Sequence, residues 1–268
     1  MKYLFFLFLP VYIFGLDIYN GEIKIISLDE KPEKVFFEKK EILPFRLKNH
    51  FFVIVSAGYR ETGDKQLFIV YKERKKKVVL HVKKRGYKKE SLKVSEKKVH
   101  PPKEVLNRIY KEYKEAQKIY SSVTHNIYWD EPFLYPLDSK ITSEYGTARV
   151  FNGVLKSFHS GTDFRAKMKT PVKASNKGVV VISKNRYYAG GSVVIDHGGG
   201  VYSCYYHLNK IYKETGDVVK RGEIIGLSGK SGRVTGPHLH FGIVVYGKTV
   251  NPLKFIENIK DIYKSFSF

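Results

Sequence analysis

Two histidines one residue apart, in Gly236-Pro237-His238-Leu239-His240-Phe241, carry the clearest chemistry in this chain. Alternate residues of an extended strand point the same way, about 6.6 Å apart along it. His238 and His240 are therefore expected to face one cleft together. Such a pair lets one imidazole hold a metal while its neighbour reaches the water or substrate beside that metal. Upstream lie His159-Ser160-Gly161-Thr162-Asp163 and Tyr205-Tyr206-His207-Leu208. Fully extended, His159 and Asp163 would stand about 13 Å apart, too far to share an ion. Gly161 and the β-branched Thr162 disfavour a helix there. A turn through Ser160-Gly161 followed by a strand lets the two side chains converge. Two imidazoles and one carboxylate, from His159, Asp163 and His240, suit Zn2+ and leave a fourth position open, which separates a catalytic site from a closed structural one. His238 and His207 remain as general base and as proton donor or oxyanion stabiliser, because imidazole titrates near the working pH.

The other histidines lack such company. His197, in Asp196-His197-Gly198-Gly199-Gly200, reads as a hairpin-turn residue, and His50, His81, His100 and His125 have no matching partners. The single cysteine, Cys204, excludes an intrachain disulfide framework and a four-thiolate zinc site. Its apolar surroundings point to a small buried thiol.

The elements that must position these residues are mostly strands. The chain holds 20 Tyr and 18 Phe, which favours β-structure over a helical bundle. Residues 16–100 read as a small β-rich domain, with strands at Glu22–Ile26 and Phe51–Val55. A hairpin is expected between Gln66–Tyr71 and Lys77–Val82, its tip at Lys72–Lys76. After Pro101-Pro102, Val105, Ile109, Tyr113, Ala116 and Tyr120 recur at helical spacing, so residues 101–131 read as a helical connector. From residue 132 to 258 glycines multiply between short apolar runs, the pattern of a β-domain with tight hairpins. Residues 259–268 read as a C-terminal tail.

At the N-terminus, Lys2 precedes an apolar run from Leu4 to Phe14, broken only by Pro10, with Gly15 after it. This resembles a secretory signal over residues 1–15, too short for a comfortable membrane span. The protein is therefore expected to be exported, with no integral membrane anchor once the signal is cleaved. No cysteine follows the run, so a lipoprotein anchor is excluded. Lys and Arg total 48 against 26 Asp and Glu, a net charge of +22. Anionic partners are favoured by that balance, although solvated surface charge accounts for it equally well.

Three separated motifs carry a resemblance. His159-Ser160-Gly161-Thr162-Asp163-Phe164, Tyr205-Tyr206-His207-Leu208 and Ser231-Gly232-Arg233-Val234-Thr235-Gly236-Pro237-His238-Leu239-His240-Phe241 resemble the M23 family of zinc metallopeptidases, the lysostaphin or LytM type. Ser143-Glu144-Tyr145-Gly146, Thr170–Ala174 and Val250-Asn251-Pro252 extend the likeness to about residues 135–255, in family order. The resemblance implies a mainly β fold in which antiparallel sheets flank a groove. It implies one Zn2+ held by His159, Asp163 and His240, with His207 and His238 catalytic and Tyr205 as a substrate contact. Its implied activity is hydrolysis of stem or crosslink peptides in peptidoglycan, in the periplasm or cell envelope, with no nucleic-acid partner. A non-catalytic wall-binding scaffold or an activator of other wall hydrolases is the alternative, disfavoured because all five positions are filled. A phosphoryl-carrying histidine domain is disfavoured by the export signal and Asp163.

Overall fold

The computed structural model describes residues 13–94 and 96–266; the apolar run expected as a signal segment lies almost wholly outside them. The chain is built mainly from strands. Strands β1 (Ile13–Tyr19), β2 (Ile23–Leu28), β3 (Lys34–Phe37), β4 (Lys40–Glu41) and β5 (Phe45–Leu47) open the first half. Strands β6 (His50–Ser56), β7 (Gly63–Val70), β8 (Lys75–Lys83) and β9 (Lys89–Leu92) complete it. They form a five-stranded sheet of order β1-β8-β7-β3-β4 and a three-stranded sheet of order β2-β6-β5. The expected β7–β8 hairpin is present, with Val70 opposite Lys75. The β1–β8 pairing is parallel, which alternating patterns in the sequence do not disclose.

Helix α1 (Glu96–Val99) and helix α2 (Lys103–Ser121) follow. Only Ala116 and Tyr120 of α2 are buried; Tyr113, expected on the packing face, is exposed, as are Leu106 and Tyr110. The helix therefore rests on the second half through its C-terminal turns. Arg186 Nη2 donates to Glu112 O at 2.8 Å, and Lys184 pairs with Glu115 at 2.6 Å.

The second half contains β10 (Ile141–Ser143), β11 (Ala148–Phe151), β12 (Leu155–Phe158), β13 (Thr162–Arg165), β14 (Pro171–Lys173) and β15 (Gly178–Arg186). Next come β16 (Gly190–Asp196), β17 (Val201–Ile211), β18 (Val218–Val219), β19 (Ile224–Ser228), β20 (His238–Val245) and β21 (Lys248–Val250). Its main sheet runs β10-β13-β20-β17-β16-β15-β18, with β14, β19 and β21 off that path. A smaller sheet, β12-β11-β9, takes its third strand from the first half, β9 running parallel to β11.

Helix α3 (Pro252–Ser265) closes the described chain. Asn251 Oδ1 accepts from the Leu253 and Lys254 amides, an N-cap followed by proline at the first helical position. Phe255, Ile256 and Ile259 are buried. The residues expected as a tail from 259 onward thus continue a helix that packs on the core.

One apolar core runs through both halves. Phe45 meets Trp129 with ring centroids 5.1 Å apart, Trp129 meets Phe133 at 5.4 Å, and Phe133 meets Phe255 at 5.0 Å. Hydrogen bonds reinforce the join: Asn251 N to Gly21 O at 2.7 Å and Ser56 Oγ to Val245 O at 3.1 Å.

Candidate metal centre

Strand pairing brings the chemistry together. In the β13–β20 register Asp163 stands directly opposite His240, and Arg165 opposite His238. On the other side of β20, His240 faces Tyr206 of β17. Directly opposed residues on one sheet face have Cβ atoms about 5 Å apart, so Asp163 and His240 meet by register alone. His159 arrives from the turn before β13. Gly161 in that turn has no room for a side chain: a Cβ there would lie 2.4 Å from Phe241 O and 2.6 Å from His240 Nε2.

His159 Nε2 lies 2.8 Å from Asp163 Oδ1 and 2.9 Å from His240 Nδ1, and His240 Nδ1 lies 3.0 Å from Asp163 Oδ1. All three residues are buried. Each offers one ligand atom to a common point. Zinc–ligand bonds of about 2.0–2.1 Å in a tetrahedron separate donor atoms by roughly 3.3 Å, so a few tenths of an ångström of opening admits the ion.

The hydrogen bonds support that fit. His159 Nδ1 lies 3.0 Å from Glu144 O, while Nε2 faces Asp163 Oδ1. Both neighbours are acceptors, yet a neutral imidazole has one N–H. With Nδ1–H donated to Glu144 O, the Nε2 lone pair meets a carboxylate oxygen, and a proton or a cation must lie between them. Fixing the ligand tautomer through a backbone carbonyl is usual around metals.

Asp163 Oδ2 accepts from Arg149 Nη2 at 3.0 Å. Arg149 also donates from Nε to Glu90 Oε1 of β9 at 2.5 Å and from Nη2 to Ser143 Oγ at 2.9 Å. Burial disfavours the Asp163 carboxylate, but its hydrogen bonds with His159 and His240 outweigh that and hold it well below the usual carboxylate range. Burial pushes His240 down to about 4, partly opposed by its hydrogen bond to Asp163, so this imidazole is neutral and available as a ligand near pH 7.

The two remaining histidines overlook this cluster. His238 donates Nδ1–H to Gly236 O at 2.9 Å, leaving Nε2 bare and 3.8 Å from Asp163 Oδ1. His207 donates Nδ1–H to Ser231 O at 2.8 Å, again freeing Nε2. Their ring centroids are 4.9 Å apart, and His207 lies 5.9 Å from the His240 ring. Burial, aided by the neighbouring His240 and His238, pushes His207 down to about 3. It therefore stands as a neutral base at neutral pH.

An irregularity in β17 sets the position of His207. Gly191 pairs with Leu208 but Val193 pairs with Tyr205, so three residue steps on β17 span two on β16. His207 takes φ +64°, the left-handed region. Such a bulge re-aims a side chain. Consecutive residues Tyr206 and His207 both line the groove, where an unbroken strand would send one of them away. Tyr206 stacks parallel to His240, centroids 5.4 Å apart, and its hydroxyl meets Tyr120 of α2 at 2.7 Å.

All five histidine and aspartate positions singled out in the sequence therefore converge. Tyr205 does not join them. It is fully buried on the opposite face of β17, its hydroxyl accepting from the Ser175 amide at 2.6 Å and from Ser203 Oγ at 2.9 Å. The groove tyrosine of this strand is Tyr206, and Tyr188 joins it. Sequence reasoning passed over Arg149 and Arg233, which also line the groove; Arg149 is joined to the site only through tertiary contacts. His197 is buried, with Nδ1 donating to Lys177 O and Nε2 facing Ser203 Oγ, both at 2.7 Å. Cys204 is a buried free thiol.

Two imidazoles and a carboxylate around one point, with two more imidazoles at its edge, define the architecture of a metallohydrolase. Residues 157–252 match the model of Peptidase family M23, and the chain carries a domain of that metallopeptidase family. The peptidoglycan DD-endopeptidase ShyA of Vibrio cholerae is 48% identical over 124 residues, covering 45% of this chain and 29% of that protein. The DD-carboxypeptidase/endopeptidase Mpg of Neisseria meningitidis is 37% identical over 125 residues, 46% of this chain and 28% of that protein. The matched stretch thus spans less than a third of either relative. A crystal structure from Pseudomonas aeruginosa assigned to peptidase M23 superposes with a TM-score of 0.74 at 25% identity, covering 90% of this chain and 95% of that one. The likeness in fold therefore includes the first half as well as the M23 segment.

Proposed function

We propose that this protein is a zinc-dependent peptidase that hydrolyses stem or crosslink peptides of peptidoglycan in the cell envelope. The observation that carries this reading is the convergence of His159, Asp163 and His240 on one point, with the free Nε2 atoms of His207 and His238 beside it. His159 through Nε2, His240 through Nδ1 and Asp163 through Oδ1 would hold a single ion. Zinc bound there supplies Lewis-acid polarisation of an amide carbonyl and a lowered pKa for water.

The chain's own groups do the rest. A groove lined by Tyr188, Ala189, Tyr206 and the histidines receives the peptide. One of the two imidazoles, His207 or His238, takes a proton from the attacking water at Nε2. The imidazolium so formed carries that proton on Nε2, hydrogen-bonds the developing oxyanion through it, and delivers it to the leaving amine. The backbone carbonyls of Ser231 and Gly236 hold both rings in the tautomer this needs. Names of the relatives, one a peptidoglycan DD-endopeptidase and one a DD-carboxypeptidase/endopeptidase, support the substrate class. The apolar run after Lys2 supports export. No helix among the described residues is long and apolar enough to cross a membrane.

The test is digestion of purified, crosslinked sacculi by the zinc-replete full chain, with separation of the muropeptides and metal analysis of each variant. Crosslinked dimers should disappear. His159→Ala and His240→Ala should lose both zinc and activity. His238→Ala should keep most of its zinc and lose turnover by about 100-fold or more, the usual contribution of a general acid or base. Full zinc content with intact dimers in the unaltered protein would refute the reading.

A further inference from the structure

The groove contains two arginines in opposite circumstances. Arg149 is satisfied, its guanidinium bonded to Glu90, Ser143 and Asp163. Arg233 has no carboxylate partner among the described residues. It lies in the loop between β19 and β20, pinned by its amide donating to Tyr188 O at 2.8 Å. Its guanidinium carbon sits 4.5 Å from the Tyr188 ring centroid and 4.6 Å from that of Phe151. Cation–π contact with two rings offsets part of the cost of removing a cation from water and holds the guanidinium plane in place. It leaves the N–H fork unpaired with any anion. Burial, with the like charge of Arg149 adding to it, lowers the Arg233 pKa from its ordinary value. A half-buried, fixed, unneutralised guanidinium is suited to bidentate capture of a carboxylate.

The position of Arg233 selects which carboxylate. Arg233, His159, His207 and His240 line one small cavity of about 210 Å³. Ser231, two residues before Arg233, accepts the Nδ1–H of His207. An anion on Arg233 therefore belongs to a residue flanking the bond under attack. On the acyl side of that bond, the residue's own carboxyl is the scissile carbonyl, and any free carboxylate lies further along. On the amine side, the α-carbon next to the scissile nitrogen can itself carry a free carboxylate.

Building on the peptidase reading, we propose that Arg233 anchors a free α-carboxylate on the amine-side residue of the scissile bond. The substrate class follows. One member is a crosslink in which D-alanine acylates an amine that neighbours a free carboxylate, as on the D-centre of a diamino acid. A C-terminal D-alanyl-D-alanine is another. Both present the same anion to the same fork, so one site serves endopeptidase and carboxypeptidase action. A bridge whose amine-side residue continues into another amide, such as a glycine chain, lacks that anion.

The zinc-replete full chain tests this on two purified crosslinked muropeptide dimers, identical except that the amine-side carboxylate is free in one and carboxamide in the other. The unaltered protein should favour the free acid by about 10- to 100-fold in kcat/KM, mostly through KM, the range a charge-assisted hydrogen-bond pair supplies. Arg233→Gln should bring the two substrates within about threefold of each other. Equal cleavage of both dimers by the unaltered protein, or full discrimination retained by Arg233→Gln, overturns the assignment while leaving the peptidase reading intact. Cleavage of neither dimer by the unaltered protein overturns the peptidase reading and this inference with it.

Discussion

Asp163 shows how far a single residue can be understood from its spacing. The interval from His159, the intervening glycine and the alternation of His238 with His240 nominate four side chains, the Tyr205-Tyr206-His207-Leu208 motif adds the fifth, and the structure gathers all five. What holds them in orientation was not legible. The Glu144 and Ser231 carbonyls that fix the His159 and His207 tautomers have no side-chain signature. Arg149 reaches Asp163 across a sheet boundary and Glu90 from 59 positions away. Arg149→Met would strip the N–H donor from Asp163 Oδ2 and let the ligand carboxylate swing. Zinc affinity, read by chelator competition, should fall about 10- to 100-fold, as losses of outer-shell partners do. Glu90 is partly exposed and can return to water, so the fold itself should persist.

The M23 resemblance points to Tyr205, whereas Tyr206 is the residue of β17 that lines the groove, and an element accounts for the difference. Strict alternation is the only rule a sequence offers along a strand, and the bulge at the end of β17 breaks it. The same limit hid β9, a four-residue strand from the first half that pairs in parallel with β11. Long hairpins such as β7–β8 were legible because both strands carry alternation around a charged turn. Helix α2 was legible by its period, but period alone could not say that only its last turns would be covered. At the turn before β13, Gly161→Ala places a methyl against Phe241 O and His240 Nε2. The clash with backbone should cost about 1–3 kcal/mol and push β13 off β20. Urea unfolding of the metal-free protein should show the loss, and zinc titration should show weakened binding from the same displacement.

The whole molecule carries a pH signature from buried imidazoles. His197 is pushed down to about 4 by burial, only partly opposed by its hydrogen bond to Lys177 O. In the unfolded chain it titrates near 6.5. Between those values the unfolded state holds a proton that the folded state refuses, so stability rises with pH and falls as pH drops. The loss from this residue begins below about pH 6.5 and is complete near pH 4, amounting to about 3 kcal/mol. His207 and His240 act in the same direction in the metal-free protein. Urea midpoints of that form should therefore fall steeply from pH 7 to pH 4.5, and His197→Gln should flatten part of the slope.

The strand lent by the first half makes the two halves of this molecule hard to part. β9 completes the small sheet beside the groove, Glu90 braces the arginine behind Asp163, and Tyr120 holds the tyrosine that stacks on His240. A fragment trimmed to residues 157–252, the segment that matches the M23 family model, keeps every candidate ligand and discards these supports. Shortening this protein to its recognisable motif is thus an alteration of the catalytic centre itself, made from a distance.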